Sequence, residues 1–324
     1  MACLLRGGDM KLAIQEFYET HGASLGLETI RVGQGVEREI KVSHVQRPGL
    51  SLAGYMKRKS DKRILIFGRM ELSYLCDLDP ELRLKRLKGV ITSETPAVIV
   101  ARALPPPREL SKVCQELKVP LFRTEVHSMP LLTELTMLLS DYFAPTDSLH
   151  GTLVEAYGVG VLIQGESSVG KSEAALGLIE RGHRLISNDV VILRKRNSHL
   201  VGLAPELNKH LLELRGIGII NVAHLFGAVC VRSEVQVDLV IRLEEWNEKE
   251  YYDRVGLEER FTEILGLRVP LIVQPVKPGR DSVLLIETAL LNHRLKEMGY
   301  HSAREFNDKL LETIARKKKI GTRV

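Results

Sequence analysis

The stretch GESSVGKSEAALGLIERG, residues 165–182, constrains the fold of this chain more than any other. It carries the spacing Gly-x-x-x-x-Gly-Lys-Ser at 165–172. A short apolar run at 158–164 precedes this spacing and predicts a buried strand, while apolar residues at helical intervals follow it as far as Gly182. A strand, a glycine-rich loop and a helix N-terminus together favour a phosphate-binding loop (P-loop) over an ordinary surface turn.

A P-loop binds phosphate through its backbone and through two side chains. Successive N–H groups and the helix dipole attract the anion, and the Lys171 ammonium reaches the outer phosphates. The Ser172 hydroxyl then holds a Mg²⁺ that bridges those phosphates. We therefore predict a nucleotide site of eight consecutive residues: Gly165, Glu166, Ser167, Ser168, Val169, Gly170, Lys171 and Ser172. Such a loop indicates a nucleotide but does not identify a reaction.

Length and charge set broad limits. A chain of 324 residues is long enough for two domains, each with its own core. Its formal net charge is +5, and much of the excess lies in a C-terminal basic run, so the charge does not predict a nucleic-acid partner. That run is interpreted as a solvated last helical turn or as a docking patch for an acidic partner, and its members are Arg316, Lys317, Lys318, Lys319 and Arg323.

The cysteines and the hydropathy pattern predict a cytoplasmic protein. The four cysteines are scattered without a Cys-x-x-Cys pair, which favours a reducing compartment over a disulfide framework or a zinc site. No apolar run approaches the roughly 18 to 20 residues that span a bilayer. The first residues contain too short an apolar patch for a secretory signal, so we expect no membrane partner.

The order of strand and helix patterns predicts two α/β domains. In the first part of the chain, strands are predicted at 63–68, 96–101 and 120–123, and helices at 80–87, 105–119 and 128–144. The polar, turn-forming segment 145–151 is interpreted as the boundary between domains at 1–145 and 146–324. The second domain contains the P-loop, several strands and a closing helix near 303–319.

Two acidic residues after the P-loop are candidates for chemistry. Asp189 lies in the apolar segment LISNDVVIL, 18 residues beyond Lys171, and is interpreted as a general base or as an Asp that caps a strand turn. Glu213 lies near Arg215 in the apolar segment LLELRGIGIINV. The two residues are interpreted as a buried salt bridge, or Glu213 as a Mg²⁺ ligand opposite Ser172.

Three further segments offer cations or a histidine. The loop QPVKPGRD presents Lys277 and Arg280, which either clamp a phosphate or lie in solvent. Arg254, in YYDRVGLEER, has the same two interpretations. His150 lies in the predicted boundary loop, and it is either a surface residue or, because it is close to the P-loop strand, part of the site.

Taken together, these segments resemble HPr kinase/phosphorylase, a bacterial enzyme family that phosphorylates and dephosphorylates a serine of the phosphocarrier protein HPr. The P-loop is generic, whereas the ordered set of the other segments is specific to this family. The matching segments are RPGLSLAGY (47–55), RMELSYL (69–75), HGTLVEAYGVGVLIQGESSVGKSE (150–173), LELRGIGIINV (212–222), YYDRVGLEE (251–259) and VKPGR (276–280).

The resemblance implies a role for each candidate. The catalytic residues of the family fall on His150, Lys171, Asp189 and Arg254, and its magnesium ligands fall on Ser172 and Glu213. Asp189 is then the base towards the HPr serine in the kinase direction. It is the acid in the reverse direction, in which inorganic phosphate attacks phosphoserine and releases diphosphate. The loop linked to this phosphorolysis falls on Pro275, Val276, Lys277, Pro278, Gly279 and Arg280.

The resemblance also implies cofactors, partners and a fold. It implies Mg²⁺, ATP as phosphoryl donor, inorganic phosphate and diphosphate as co-substrates, and a role in regulating carbon metabolism and the sugar phosphotransferase system. It implies a homohexamer whose C-terminal helix helps to engage HPr. The implied fold has a small N-terminal α/β domain and a C-terminal P-loop kinase domain with a strand-rich core similar to that of phosphoenolpyruvate carboxykinase.

Three residues depart from the family pattern. Glu166 and Ser168 stand where members usually have Asp and Gly, and Asn188 stands where many have the first Asp of an Asp-Asp pair. These departures bear on the balance between the two activities. Three alternatives remain: a kinase without phosphorylase activity, a phosphoenolpyruvate carboxykinase-like lyase with more ligands for a second metal, and a non-catalytic nucleotide sensor.

Overall fold

The computed structural model describes residues 11–31, 35, 37–55, 62–250, 252, 256–277 and 279–321, with backbone only for 315–321. The chain divides into two compact units, 1–144 and 145–324, and the predicted boundary lies next to this division. None of the helices in the described ranges combines the length and the apolar character needed to cross a bilayer.

The first unit is an α/β structure built on a five-stranded sheet. The order of its strands in that sheet is β2-β7-β6-β5-β4, and β1 pairs with β3 separately. The strands are β1 Leu12–Ala13, β2 Glu28–Arg31, β3 Glu39–Ile40, β4 Val45–Gln46, β5 Ile64–Phe67, β6 Val98–Val100 and β7 Leu121–Arg123. The helices are α1 Ile14–His21, α2 Gly49–Leu52, α3 Arg69–Asp77, α4 Pro80–Val90, α5 Arg108–Glu116 and α6 Ser128–Tyr142.

Helices cover both faces of this sheet because alternate strand residues point to opposite sides. In β5, Ile64 and Ile66 pack with α1 and α6, whereas Leu65 and Phe67 pack with α3, α4 and α5. β4, β5, β6 and β7 run parallel, as the predicted alternation of strand and helix requires. The α/β prediction for this part of the chain is confirmed, including the strands near 63–68, 96–101 and 120–123.

The second unit contains two larger sheets. The order in the six-stranded sheet is β11-β9-β10-β17-β19-β18, and in the four-stranded sheet it is β16-β13-β12-β8. The strands are β8 Thr146–His150, β9 Thr152–Ala156, β10 Val159–Gly165, β11 Arg184–Ser187, β12 Val190–Arg196, β13 His199–Leu203, β14 Leu211–Leu214, β15 Gly218–Asn221, β16 Glu234–Gln236, β17 Leu239–Glu245, β18 Arg260–Ile264 and β19 Leu267–Val276. The helices are α7 Lys171–Glu180, α8 Val222–Phe226, α9 Ser282–Glu297 and α10 Ser302–Gly321.

Three layers enclose two cores in this unit. One face of the six-stranded sheet packs against α7, α9 and the β14–β15 hairpin, with Ala175, Leu178 and Leu212 in the shared core. The other face packs against the four-stranded sheet, where Leu162 and Val191 lie in one buried cluster. This confirms an α/β unit with much of its chain in strands.

The interpretation of 145–151 as a turn-forming loop is wrong, because 146–150 form strand β8. β8 pairs antiparallel with β12 over five residue pairs, from Val190 with His150 to Arg194 with Thr146. The polar residues at 146–148 do not show the apolar pattern by which a strand is predicted from sequence. The strand forms because β12, about forty residues away in the chain, supplies its hydrogen-bond partners. His150 is therefore the last residue of a strand rather than a loop residue.

Candidate active site

The predicted P-loop connects β10 to α7, and positive φ occurs at several of its residues. Gly170, directly before α7, has φ of +98°, and Ser168 has φ of +73°. The Lys171 ammonium donates to the carbonyl oxygens of Gly165 at 2.9 Å and Glu166 at 2.7 Å, so it lies over its own loop. The N-terminus of α7 thus presents free backbone N–H groups and a lysine charge at one place.

The sheet core and the helix end fix α7 in this position. Ala174, Ala175, Leu178 and Ile179 form its buried face. At its C-terminus the His183 N–H donates to the Leu178 carbonyl at 3.1 Å, the long bond of a Schellman motif. The helix that carries Lys171 is therefore anchored along one face and at its C-terminal end.

Asn188 lies directly behind the first turn of α7. Its side-chain oxygen accepts a hydrogen bond from Thr152 Oγ1 at 2.8 Å and one from Ser172 Oγ at 3.3 Å. The residue is 2% exposed, and among the described residues its amide nitrogen has no hydrogen-bond partner. Asn188 therefore holds the Ser172 hydroxyl in place, a role that the sequence did not predict for it.

Asp189 lies in the tight turn between β11 and β12, not inside an apolar strand. Its φ of +64° is uncommon for a residue other than glycine, and its side chain is exposed. Its carbonyl oxygen accepts from the Gly151 N–H at 3.2 Å and lies 3.2 Å from His150 Nδ1. The end of β8 and the β11–β12 turn thus bring His150 and Asp189 together. Asp189 directly follows Asn188, the residue that contacts Ser172.

The β14–β15 hairpin brings an acidic residue near the loop. Leu212 and Leu214 point into the core with α7, whereas Glu213 between them is exposed. Arg215 is also exposed and its guanidinium donates to Ser167 Oγ at 3.3 Å, which ties this hairpin to the P-loop. The alternative of a buried Glu213–Arg215 salt bridge is wrong because neither side chain is buried.

Three neighbouring parallel strands end beside the P-loop. β17 lies between β10 and β19, with Leu243 paired to Gly165 on one side and to Gln274 on the other. A cleft of about 860 Å³ opens at this edge. Its lining is formed by His150, Gln164, Gly165, Glu166, Val169, Arg242, Leu243, Glu244, Glu245, Trp246, Asn247, Glu248 and Glu250. The segment predicted as a phosphorolysis loop begins at Pro275 in the same strand end, β19.

Two of the predicted site residues, Arg254 and Pro278, lie outside the described residues. The sequence interpretation missed Trp246, which follows β17 and lines the cleft. A tryptophan at the end of the apolar run VQVDLVIRL was the available signal, because it is the one tryptophan of the chain.

The oxygen donors near the loop fit Mg²⁺. In the described part of the chain, no group of three or more His, Cys, Asp or Glu side chains is placed to hold a metal ion by itself. Mg²⁺ usually keeps several waters and binds through one or two protein oxygens together with substrate phosphates. The Ser172 hydroxyl, fixed by the buried Asn188, is such a donor, and Glu213 supplies an exposed carboxylate on the neighbouring hairpin.

Comparison with known proteins shows the class to which this fold and site belong. The protein-family model described as "HPr Serine kinase N terminus" matches residues 12–139. The family model described as "HPr Serine kinase C-terminal domain" matches residues 141–310. The chain is thus of the HPr serine kinase type over most of its length.

The relatives carry a more particular name. An HPr kinase/phosphorylase of Listeria monocytogenes serotype 4a is 44% identical over 291 residues, covering 90% of this chain and 93% of the relative. One of Bacillus licheniformis is 45% identical over 289 residues, covering 89% and 93%. A solved structure titled "Structure of the Hpr(Ser) kinase/phosphatase from Coxiella burnetii" is 40% identical with a TM-score of 0.46, and covers 49% of this chain and 98% of that one. The chain belongs to the HPr kinase/phosphorylase family.

Proposed function

We propose that this protein transfers a phosphoryl group from ATP to a serine of the phosphocarrier protein HPr, and that it also catalyses the reverse phosphorolysis. In the reverse reaction inorganic phosphate attacks phosphoserine-HPr and diphosphate is released. The observation that carries the proposal is the placement of Lys171, Ser172, His150 and Asp189 around one P-loop, in a chain of this family.

The P-loop supplies the electrostatic part of the mechanism. The N–H groups at the start of α7 and the Lys171 ammonium bind the phosphates and stabilise the charge that builds up on the transferring group. Ser172 and Glu213 would hold Mg²⁺, which neutralises phosphate charge when it is bound. Since two backbone carbonyls now accept from Lys171, phosphate binding exchanges these hydrogen bonds for bonds to the ligand.

Asp189 is proposed as the group that moves the proton. In the kinase direction its carboxylate takes the proton of the HPr serine while the serine oxygen bonds to the γ-phosphorus and ADP leaves. In phosphorolysis a phosphate oxygen bonds to the phosphorus of phosphoserine, and Asp189 returns the proton to the departing serine oxygen. The exposure of Asp189 allows a protein substrate to reach it. His150 contacts the Asp189 backbone and is proposed with Arg254 as a further catalytic residue.

The remaining family properties are proposals of the same kind. The loop Pro275, Val276, Lys277, Pro278, Gly279 and Arg280 is proposed to bind inorganic phosphate, since it follows a strand that ends at the cleft edge. We also propose a homohexamer, a cytoplasmic location, and a core like that of phosphoenolpyruvate carboxykinase. Apolar side chains along α10 (Phe306, Leu310, Leu311 and Ile314) are exposed, which suits the proposed engagement of HPr.

The test is a two-stage reaction with purified HPr. The protein is incubated with ATP, Mg²⁺ and HPr, and phosphoserine is measured by mass spectrometry. Inorganic phosphate is then added and diphosphate is measured. Phosphoserine followed by diphosphate is the expected result. Phosphoserine alone would reduce the protein to a kinase, and the absence of both would leave the nucleotide sensor as the better function.

A matched pair of lysine variants tests the P-loop assignment. Lys171→Ala should lower both activities by roughly 100-fold or more, because the transition-state charge loses its main side-chain cation. Lys88→Ala removes a lysine whose contact is an exposed ion pair with Glu116 in the first unit, and it should leave both rates within about twofold. Equal rates in the two variants would contradict the role of Lys171.

A further inference from the structure

Trp246 joins two of the strand ends that border the P-loop cleft. It follows β17 directly, and its backbone N–H donates to the carbonyl oxygen of Val276, the last residue of β19, at 2.9 Å. Trp246 lines the cleft together with Gly165, Glu166 and Val169 of the P-loop. Trp246 therefore borders the same cleft as the P-loop and is bonded to the residue from which the loop after β19 starts.

Two cations of that loop lie at the indole ring. Lys277 Nζ is 5.7 Å and Arg280 Cζ is 5.6 Å from the ring centroid, both within the range of a cation–π interaction. A turn between them is closed by the Arg280 N–H, which donates to the Lys277 carbonyl at 3.1 Å. The two cations therefore share one contact, the indole ring of Trp246.

Among the described residues, the contacts of the indole are made by its ring faces and not by its N–H group. Tyr252 stacks on it with ring centroids 5.0 Å apart and an interplanar angle of 24°, and the Tyr252 hydroxyl accepts from the Asn247 N–H at 3.1 Å. Trp246 Nε1 is buried, and in the described ranges it has no hydrogen-bond partner. A buried N–H without a hydrogen-bond partner is unfavourable. The contacts that stabilise the indole in this position are therefore those of its ring.

We propose that Trp246 is a positioning residue for inorganic phosphate, which acts by holding Lys277 and Arg280 beside the P-loop. The proposal rests on the proposed function for the use of that phosphate in phosphorolysis. Lysine and arginine side chains lose much conformational freedom when they bind an anion. Contact with the indole restricts both side chains before phosphate binds, so part of this freedom is already lost. Without the ring the two positive charges would repel each other and separate, whereas on the ring both are in place to bind the anion. Trp246 itself makes no contact with the reacting atoms in this role.

The primary test compares two substitutions in the full chain. Trp246→Leu should raise the KM for phosphate in phosphorolysis about tenfold, the effect of losing two cation–π contacts, and should raise the KM for ATP in the kinase reaction by a clearly smaller factor. Trp246→Phe keeps a smaller aromatic ring and should recover part of the phosphate affinity. A merely structural role for Trp246 would raise both KM values by the same factor or lower the thermal midpoint, and either result would overturn the proposal.

Calorimetry with sodium phosphate, without HPr or ATP, tests the inference apart from the reaction. Trp246→Leu should weaken phosphate binding about tenfold in the wild-type background and by less than about twofold in the Lys277→Ala/Arg280→Ala background, since the ring acts only through these cations. Phe261→Leu is the control, because it removes a different cation–π contact. Phe261 lies on the outer strand β18, and Cζ of Arg268, on β19, is 4.4 Å from its ring centroid.

The outcomes separate this inference from the proposed function. Unchanged phosphate affinity in Trp246→Leu, or the same loss with and without the two cations, would overturn the role of Trp246. A wild-type protein that binds phosphate with this dependence on Trp246 but makes no diphosphate from phosphoserine-HPr would overturn the phosphorylase function and support the positioning role.

Discussion

Asp189 is the residue at which backbone geometry and proposed chemistry are most directly combined. Its φ of +64° places an ordinary side chain in a region that glycine, asparagine and aspartate tolerate best. The same turn sends its carbonyl oxygen towards Gly151 and His150. An aspartate here thus combines an acceptable turn residue with an exposed carboxylate, and substitutions can separate the two properties.

Asp189→Asn is expected to remove the carboxylate while it keeps the turn. The kinase rate should fall by roughly 100- to 10,000-fold, the contribution of a general base, with the free energy of unfolding unchanged within about 0.5 kcal/mol. Asp189→Ala should lose the same activity and in addition about 1 kcal/mol of stability, because alanine tolerates positive φ less well. Urea denaturation with a phosphoserine assay measures both effects. A stable Asp189→Asn protein with full activity would contradict the base assignment.

The two glycines of the P-loop are expected to differ in their tolerance of alanine. Gly165 has φ of +149°, and a Cβ there would lie 2.5 Å from the Leu243 carbonyl oxygen and 2.8 Å from Val169 Cγ1. Gly170 has φ of +98°, and a Cβ there would meet no atom within 4 Å. Gly170→Ala should cost about 1 kcal/mol from backbone strain alone, and Gly165→Ala clearly more, since β10 and β17 must separate. A urea midpoint that falls further in Gly170→Ala than in Gly165→Ala would contradict this prediction.

At the scale of the elements, a charged cluster fastens α9 to the end of α7. Glu287, 8% exposed on α9, accepts from Arg181 and from the Tyr157 hydroxyl at 3.2 Å, and its Oε1 lies 2.9 Å from His183 Nε2. Burial alone would raise the pKa of Glu287, but the hydrogen bonds from His183 and Arg181 lower it below its ordinary value of 4.5. The cluster therefore stabilises the charged form of this carboxylate.

The pH dependence of this cluster has a definite sign. Because the folded pKa lies below the unfolded one, its stabilisation is complete above about pH 4.5 and is lost as the pH falls through the folded pKa. Glu287→Gln should cost about 2 kcal/mol at pH 7, and the difference from wild type should shrink below pH 4.5. Glu297→Gln, on the same helix but 60% exposed in its side chain, should cost less than about 0.5 kcal/mol. Urea titrations from pH 7 to pH 3.5 measure the gap, and a gap that grows towards low pH would contradict the sign.

The elements that the sequence predicted best are those determined by neighbouring residues. The P-loop, its preceding strand and α7 follow from apolar spacing and glycine positions within one segment, and α4 begins at Pro80 as a proline at the first turn predicts. β8 was missed because its polar residues are ordered by pairing with β12. The contacts of Trp246 with Lys277 and Arg280 were also missed, since they depend on the parallel pairing of β17 with β19.

The roles within the site divide in the same way. Lys171 and Ser172 were predicted by their spacing, whereas the contact between Ser172 and Asn188 depends on how β9, α7 and the β11–β12 turn pack. Asp189, Glu213 and Arg254 were candidates from their own segments, each with a structural alternative, and only the resemblance to the family implied their roles. No local pattern distinguishes an aspartate at a strand turn from one that serves as a base, and that assignment remains a prediction.

At the scale of the whole molecule, the proposed phosphate chemistry belongs to one unit. The P-loop, Asp189, Glu213 and Trp246 all lie in 145–324, which has two cores of its own. A fragment of residues 145–324 should therefore unfold cooperatively and bind ATP within about threefold of the full chain, because a domain with its own core folds alone. The fragment 1–144 is the control and should fold without binding ATP. Circular dichroism and calorimetry measure both properties, and a 145–324 fragment without a cooperative transition would contradict the division.

The register of the parallel strands β10, β17 and β19 fixes the distances between the residues at their ends. Each strand advances about 3.3 Å per residue, and a shift of one residue moves every side chain to the opposite face. One inserted residue within β17 would therefore displace Trp246 relative to the P-loop and turn Val240 or Ile241 away from the core in which it now packs. An insertion at the exposed Asn197–Ser198 turn between β12 and β13 changes no such distance. Over evolutionary time, length variation in this protein should accumulate in turns of that kind and be absent from the three strands whose ends surround the cleft.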